Sequence, residues 1–260
     1  MGAQFDIQYV LEYFVKLLPY IHISLLIVAA SIVLGLVFGL LAALPRLYRV
    51  PVLQRLSQLY ASFFRGTPIL IQLFLLYYGL PEILKLANID ITRLPVLVFV
   101  ILVYGLHSGA YVSEAIRAAV SAVDRGQVEA AYAVGMTGFK AFTRIVLPQA
   151  FAISVPVLAN LVIATLKDTS LAFTLGVMEL TGKSQTLATM SRHFIETYIA
   201  LAAVYFILSF ALEKLFLLAE RRLLKHETAA SDAKPVSLGK KWLKRQAKME
   251  ITLGKGGTRA

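Results

Sequence analysis

Long runs of apolar residues constrain the fold of this chain more than any other feature of its sequence. Three runs are long enough to cross a bilayer as helices: residues 21–44, 95–115 and 198–219. Two more runs are interrupted: residues 56–80 by Arg65 and Pro68, and residues 149–166 by Pro156. Hydrophobic residues make up 58% of the 260, more than in an ordinary globular domain. We therefore predict an all-α membrane protein with about five transmembrane helices.

The distribution of lysine and arginine among the connections predicts the orientation of these helices. The loop after the first run carries Arg46, Arg49 and Arg55 without an acidic residue, whereas the loop after the second run has balanced charges. The segment after the third run and the C-terminal tail are again basic. Because basic residues concentrate on the cytoplasmic side, we predict a multi-pass protein of the cell membrane with its N-terminus outside and its C-terminus in the cytoplasm.

The positions of the basic residues that give the net charge of +11, and the order of charges around the first apolar run, both agree with a multi-pass membrane protein. The basic residues flank apolar runs, so we expect them to face membrane lipid and do not expect a nucleic-acid partner. Asp6 and Glu12 precede the first run and arginines follow it, which is the reverse of the charge order of a signal peptide. We divide the chain into a transmembrane domain, residues 1–226, and a basic, flexible cytoplasmic tail, residues 227–260.

The sequence lacks the common signatures of catalysis. It contains no cysteine, which excludes thiolate chemistry and cysteine metal sites. The phosphate-binding pattern GxxxxGK[ST], the zinc motif HExxH and a nucleophile elbow are also absent. We therefore predict that the chain is not an enzyme and that it binds no metal and no cofactor of its own. Any energy for its activity must come from a partner or from an ion gradient.

A polar passage interrupts the apolar sequence on the predicted cytoplasmic side. Asp124 is a good N-cap, and Gly135 suits the left-handed position that ends a helix. Thr137 can cap a second helix, residues 138–146, which Pro148 would close. We expect two short helices, the first with a face of small alanine side chains. They form either a docking surface for a partner or a passive connector on the membrane surface.

The spacing within this passage resembles the cytoplasmic loop of permease subunits of ATP-binding-cassette (ABC) importers. The residues that carry the "EAA…G…I-LP" pattern are Glu129, Ala130, Ala131, Gly135, Ile145, Leu147 and Pro148. In that family the segment is the coupling helix, which docks on the ATPase subunit. The resemblance therefore implies a type I ABC importer permease fold and assigns an ATPase-coupling role to these residues.

Three further stretches resemble the polar amino-acid branch of that family, which includes histidine, glutamine, arginine and cystine systems. They are "FRGTPILIQLFLLYYGLP" from position 64, "SGAYVSEAIRAAV" from position 108 and "LKDTSLAFTLGVMEL" from position 166. The resemblance implies a permease for a polar amino acid such as cystine. The implied partners are a dimer of ATPases that binds ATP and Mg, a second permease copy or paralogue, and an extracytoplasmic substrate-binding protein.

Polar side chains within the predicted spans are candidates for the substrate pathway, because such groups are costly in a membrane. Arg65 either snorkels toward the headgroups or attracts a substrate carboxylate. Gln72 and Ser108, with its neighbour His107, either contact substrate or form interhelical hydrogen bonds. We expect Glu114 to form an ion pair with Arg117 three residues later, and we keep Glu114 as a pathway candidate.

Asp168 is the most specific candidate for a contact with the substrate. It ends the fourth predicted span and precedes Thr169 and Ser170, which we also assign to the pathway. The apolar run that follows, residues 171–178, is too short to cross the membrane, so we predict a re-entrant or gating segment. Asp168 can bind the ammonium group of an amino acid. The alternative is an ordinary salt bridge with Lys167 or Arg192.

Two other functions remain open from the residues alone. A secondary transporter driven by an ion gradient would need no soluble motor, but should contain an internal repeat, and none is clear. A membrane scaffold without transport activity would leave the polar groups in the spans without a role.

Overall fold

A computed structural model of the protein describes residues 4–223, and this part of the chain is almost entirely helical. The helices are α1 (Ile7–Leu17), α2 (Ile21–Leu47), α3 (Pro51–Gly66), α4 (Ile69–Phe74), α5 (Leu80–Lys85), α6 (Val96–Ala122), α7 (Arg125–Ala133), α8 (Gly138–Ala141), α9 (Leu147–Asp168), α10 (Leu180–Ser191) and α11 (Phe194–Leu223). Within residues 4–223, four helical stretches are long and apolar enough to cross a membrane, or five if one bent pair counts as a span. The prediction of about five spans is confirmed.

Two units make up the chain, Met1–Leu218 and Ala219–Ala260. The first unit contains nearly all the described residues. The predicted basic tail, residues 227–260, lies outside the described residues, and its boundary at residue 226 stays a prediction.

Helices α2 and α6 pack closely because glycines line their contact. A methyl group placed on Gly35 would lie 2.9 Å from Ser108 Cβ, and one placed on Gly105 would lie 2.8 Å from Leu34 Cβ. Gly109 likewise has no room for a side chain, because Tyr60 and α2 face it closely. Small residues permit such approach between membrane helices, where the hydrophobic effect does not drive association. This pair forms the most extensive helix–helix contact among the described residues.

Helix α9 runs antiparallel to α6. The Tyr104 hydroxyl donates to the carbonyl oxygen of Asp168 over 2.6 Å, and Ser108 Oγ lies 3.5 Å from Thr165 Oγ1. Further along, Ala119 of α6 and Ala150 of α9 belong to the same apolar cluster. Pro156 lies inside α9 without ending it. The apolar run that Pro156 interrupts is therefore one continuous helix, since one lost backbone hydrogen bond is tolerated within a packed membrane helix.

The predicted second span is sharply bent. Helix α3 meets the helical stretch Ile69–Lys85 at 114°. The break lies between Gly66 and Ile69, at the Thr67–Pro68 step, because proline removes a donor and disfavours helix in the residue before it. Arg65 stays within the last turn of α3, so of the two residues that interrupt this apolar run only Pro68 coincides with the break.

The short apolar segment after α9 does not form a span. It folds into a 3₁₀-helix, Thr169–Leu175, that ends at Gly176 with a left-handed φ of 87°. Glu179 then caps α10 by accepting from the backbone N–H of Gly182 over 3.0 Å. The re-entrant or gating role of residues 171–178 stays a prediction.

Candidate substrate cavity and coupling segment

A cavity of about 670 Å³ lies between α6 and α9, a volume typical of small-molecule sites. Most of its wall is alanine, valine, leucine and isoleucine. The residues with polar groups that line it are Arg65, His107, Tyr111, Glu114, Asn160, Thr165 and Asp168. An apolar wall with a few separated polar groups can orient a small polar molecule. Arg65, Glu114 and Asp168 were predicted from the sequence as pathway residues, and they line the same cavity.

Glu114 is the centre of a cluster of arginines. Its carboxylate lies 2.6 Å from Arg46, 3.3 Å from Arg65 and 2.8 Å from Arg117, and the side chain is 19% exposed. The predicted pair with Arg117 is confirmed. The pairs with Arg46 and Arg65 were missed, because those residues come from α2 and α3 and no local spacing connects them to Glu114. One carboxylate thus ties three helices together.

Arg65 forms the longest ion pair of this cluster, 3.3 Å. Its side chain is 44% exposed, as is that of Arg117, whereas that of Arg46 is 11% exposed. The guanidinium also lies 5.7 Å from the centre of the Tyr111 ring, within cation–π range. Arg65 therefore faces the cavity with part of its hydrogen-bonding capacity unused.

Asp168 ends α9 with its side chain half-buried against the cavity. Within residues 4–223 its carboxylate forms no salt bridge, so the predicted alternative of a pair with Lys167 or Arg192 is not formed. Its backbone carbonyl is held by Tyr104, which fixes the position of the residue. Among the described acidic groups of the cavity, Asp168 is the one without a cation.

The remaining pathway candidates do not line the cavity. Gln72 is fully buried and donates to the carbonyl oxygens of Phe64 and Thr67 across the break between α3 and α4. Ser108 is buried against Thr165. Thr169 is buried and donates to the carbonyl of Leu166 over 2.7 Å. Ser170 is half-buried and does not line the cavity. None of these four residues lines the cavity in this conformation, and their role in the pathway stays a prediction.

A second buried polar group was missed in the sequence. Glu179 is fully buried and accepts hydrogen bonds from Tyr205 over 3.1 Å and from Ser24 over 3.3 Å. It therefore joins the segment after α9 to α2 and α11. The partners come from distant parts of the chain, so no motif pointed to them.

The polar passage forms the expected first helix and turn. Asp124 caps α7 by accepting from the backbone N–H of Gly126, and Gly135 has a φ of 82°. The second helix differs from the prediction. It continues from α8 through a π-helical turn, Phe142–Val146, into α9. Pro148 lies in the first turn of α9, directly after the π-helical turn, and does not close the helix, because proline is tolerated at that position.

The alanine face of α7 is divided between the protein and its surroundings. Ala131 is only 3% exposed and packs within the chain, whereas Glu129 and Ala130 are exposed. Large apolar side chains are exposed beside them, among them Tyr132 and Phe139. Alanine at position 131 thus serves the packing of α7 against its own chain, which differs from the prediction of a freely accessible alanine face.

The sequence matches a family model over most of its length. Residues 35–225 match the model described as "Binding-protein-dependent transport system inner membrane component". The chain belongs to this family. It is a multi-pass inner-membrane permease component, and the alternative of a secondary transporter receives no support.

Curated relatives narrow the family to amino-acid transport. The permease is 44% identical over 228 residues to the L-cystine transport system permease protein TcyL of Bacillus subtilis (strain 168), covering 88% of this chain and 95% of that one. It is 43% identical over 222 residues to the probable amino-acid ABC transporter permease protein PatM of Vibrio harveyi, covering 85% and 97%.

A solved structure, the crystal structure of an amino acid ABC transporter with histidines, superposes with a TM-score of 0.76 at 30% identity, covering 85% of this chain and all of the other. An inward-facing structure of the MetNI methionine ABC transporter, at 17% identity and a TM-score of 0.63, shares the fold. The protein is therefore the permease component of an amino-acid ABC importer.

Proposed function

We propose that this permease imports a polar amino acid, with L-cystine as the first substrate to test, through the cavity between α6 and α9. The observation that supports this proposal is the charge arrangement of the cavity. Arg65, a partly exposed cation, and Asp168, a carboxylate without an ion pair, both line it. A zwitterionic molecule presents a carboxylate and an ammonium group, which suit these two side chains.

The two charges lie at different depths. The contacts of α6 with α9 place Asp168 near Tyr104, and the salt bridge to Glu114 places Arg65 ten residues further along α6. At about 1.5 Å per residue, this is a separation on the order of 15 Å between the backbone levels. The site therefore suits an extended molecule with charged groups at both ends, and L-cystine has that form.

The exposed surface around Glu129, Ala130 and Phe139 is proposed as the docking site for the ATPase, which would bind ATP and Mg. This surface lies in the connection between α6 and α9 that the charge distribution assigns to the cytoplasm. A second permease copy or paralogue would complete the pathway, and a substrate-binding protein would deliver substrate from outside. The permease itself would contribute no nucleotide site.

Substitutions in the docking surface test this assignment. Ala130→Asp places a charge in the proposed contact, and Gly135→Val places a branched side chain at a left-handed position. Both should reach the membrane at normal levels but lose co-purification of the ATPase and uptake of L-cystine. Ala87→Asp, on the exposed loop after α5, is the matched control and should retain both. Full ATPase binding by Ala130→Asp would show that α7 is a passive connector.

Labelling of introduced cysteines tests the proposed orientation. The described part of the chain offers exposed positions on either side, Asn88 in the loop after α5 and Lys140 in α8. In intact cells, an impermeant thiol reagent should label Asn88→Cys and should label Lys140→Cys only after the cells are opened. The reverse pattern would invert the topology. Ser184 and Val123 are buried, so cysteines at those positions would not react with the reagent.

A further inference from the structure

The amide of Gln72 has a fixed orientation. Its Nε2 lies 2.8 Å from the carbonyl oxygen of Phe64 and 2.9 Å from that of Thr67. Backbone carbonyls can only accept hydrogen bonds, so the atom facing them must be the amide nitrogen. The other amide atom, Oε1, therefore points away from the helix break and can only accept.

This orientation determines the tautomer of His107. The Nδ1 atom of His107 lies 3.0 Å from Gln72 Oε1. Because Oε1 cannot donate, Nδ1 must carry the hydrogen, and a neutral imidazole that is protonated at Nδ1 keeps its lone pair on Nε2. Nε2 has no hydrogen-bond partner among the described residues, and the ring lines the cavity. Since Nδ1 points to Gln72 and the ring lines the cavity, we expect Nε2 to be the atom that faces the cavity as an acceptor.

The position of this acceptor relates it to Asp168. Ser108, the residue after His107, contacts Thr165, and Asp168 follows Thr165 by one helical turn. Given about 1.5 Å of rise per residue, His107 and Asp168 differ in depth by only about 3 Å on antiparallel helices that face the same cavity. Glu114 and its arginines lie seven residues from His107, about 10 Å further along α6.

We propose that His107 is a specificity-determining residue whose Nε2 accepts a hydrogen bond from the substrate ammonium, next to Asp168, and that Gln72 is the positioning residue that sets its tautomer. This inference rests on the proposed function. An ammonium group has three donors, so a carboxylate alone leaves donors that a neutral acceptor can satisfy. A protonated or reversed ring would present a donor there and repel the group.

Two substitutions of His107 separate this role from a structural one. An asparagine amide reaches about as far as Nδ1 and can keep the bond to Gln72, but it offers nothing to the cavity. A glutamine amide reaches about as far as Nε2 and can place its oxygen in the cavity. Binding of L-cystine to the purified permease–ATPase complex should weaken about ten-fold in His107→Asn and stay within about three-fold of wild type in His107→Gln.

A second ligand shows which group of the substrate His107 recognises. Dithiodipropionate keeps both carboxylates of cystine but lacks its ammonium groups, so His107→Asn should not change its binding, measured by competition. Equal losses in both variants, or a loss only in His107→Gln, would overturn the proposal and leave His107 as a partner of Gln72. Binding of L-cystine by the wild-type complex tests the proposed substrate by itself. Failure of the proposed function can therefore be distinguished from failure of the role proposed for His107.

Discussion

Two carboxylates line one cavity, and their surroundings are opposite. Glu114 lies within 3.3 Å of guanidinium groups from Arg46, Arg65 and Arg117. Asp168, at the end of α9, forms no ion pair within residues 4–223. Both residues were predicted from the sequence as pathway candidates, and their chemistry is the same. Only their tertiary partners differ.

The difference separates a residue that holds helices together from one that is available to a ligand. A carboxylate enclosed by cations is stabilised in the ionised form and is costly to remove, because the cations are then left facing one another. An unpaired carboxylate beside an apolar cavity contributes no such bond to the fold. It also lies in the last turn of a helix, where the negative end of the helix dipole opposes a negative charge. Removing Glu114 should therefore cost stability, whereas removing Asp168 should cost function.

Glu114→Gln should produce the largest effect on stability. Breaking a buried ion pair costs about 3–5 kcal/mol, and partial exposure of this cluster reduces the expected loss to about 2–3 kcal/mol. The measurement is thermal unfolding of the purified permease in detergent. Glu82→Gln is the matched control, because Glu82 forms an exposed pair with Lys85 at the same spacing as Glu114 and Arg117. Equal unfolding temperatures of the two variants would contradict a structural role for the Glu114 cluster.

Asp168→Asn should have the opposite profile. If its carboxylate holds the substrate ammonium, losing a charge-assisted hydrogen bond of about 1.5–3 kcal/mol should weaken apparent affinity about ten-fold to a hundred-fold. Unfolding temperature should stay constant or rise slightly, because the unfavourable charge at the helix end is removed. Uptake of L-cystine and thermal unfolding are the two measurements, and Asp168→Glu is the charge-preserving control. Unchanged uptake by Asp168→Asn would remove this residue from the pathway.

Features with a local cause were predictable from the sequence. Runs of apolar residues specify membrane helices whatever their neighbours, and Gly135 occupies a left-handed turn that few other residues adopt without strain. The bend at Pro68 follows from the chemistry of proline itself. Pro148 was misread for a related reason: the same residue that ends one helix is equally suited to the first turn of the next.

Features that depend on distant partners were not predictable. Arg46 is separated from Glu114 by 68 positions, and only the packing of α2 against α6 brings them together. Arg46 was therefore counted as a basic loop residue that orients the chain. Ala131 belongs to a motif read as a docking face, yet it packs within the chain. The coupling role of the segment stays a prediction, and the motif alone could not distinguish residues that would face a partner from residues that hold α7 in place.

The smallest effect on stability is expected at Arg65, which pairs with Glu114 and lines the same cavity as Asp168. Arg65→Gln removes the longest of the three ion pairs of Glu114, 3.3 Å, from a side chain that is 44% exposed. Exposed pairs contribute little, so the loss of stability should be under about 1 kcal/mol. Arg46→Gln is the matched control, because it removes a pair of 2.6 Å whose arginine is 11% exposed. Arg46→Gln should lower the unfolding temperature clearly more than Arg65→Gln.

The affinity for ligands tests Arg65 separately. If the carboxylate of L-cystine binds Arg65, then Arg65→Gln should still reduce the affinity for L-cystine. Dithiodipropionate, which keeps the carboxylates, should lose affinity in parallel. A drop in unfolding temperature as large as that of Arg46→Gln, with unchanged affinity for both ligands, would place Arg65 with Glu114 among the residues that hold the helices and leave the cavity without its cation.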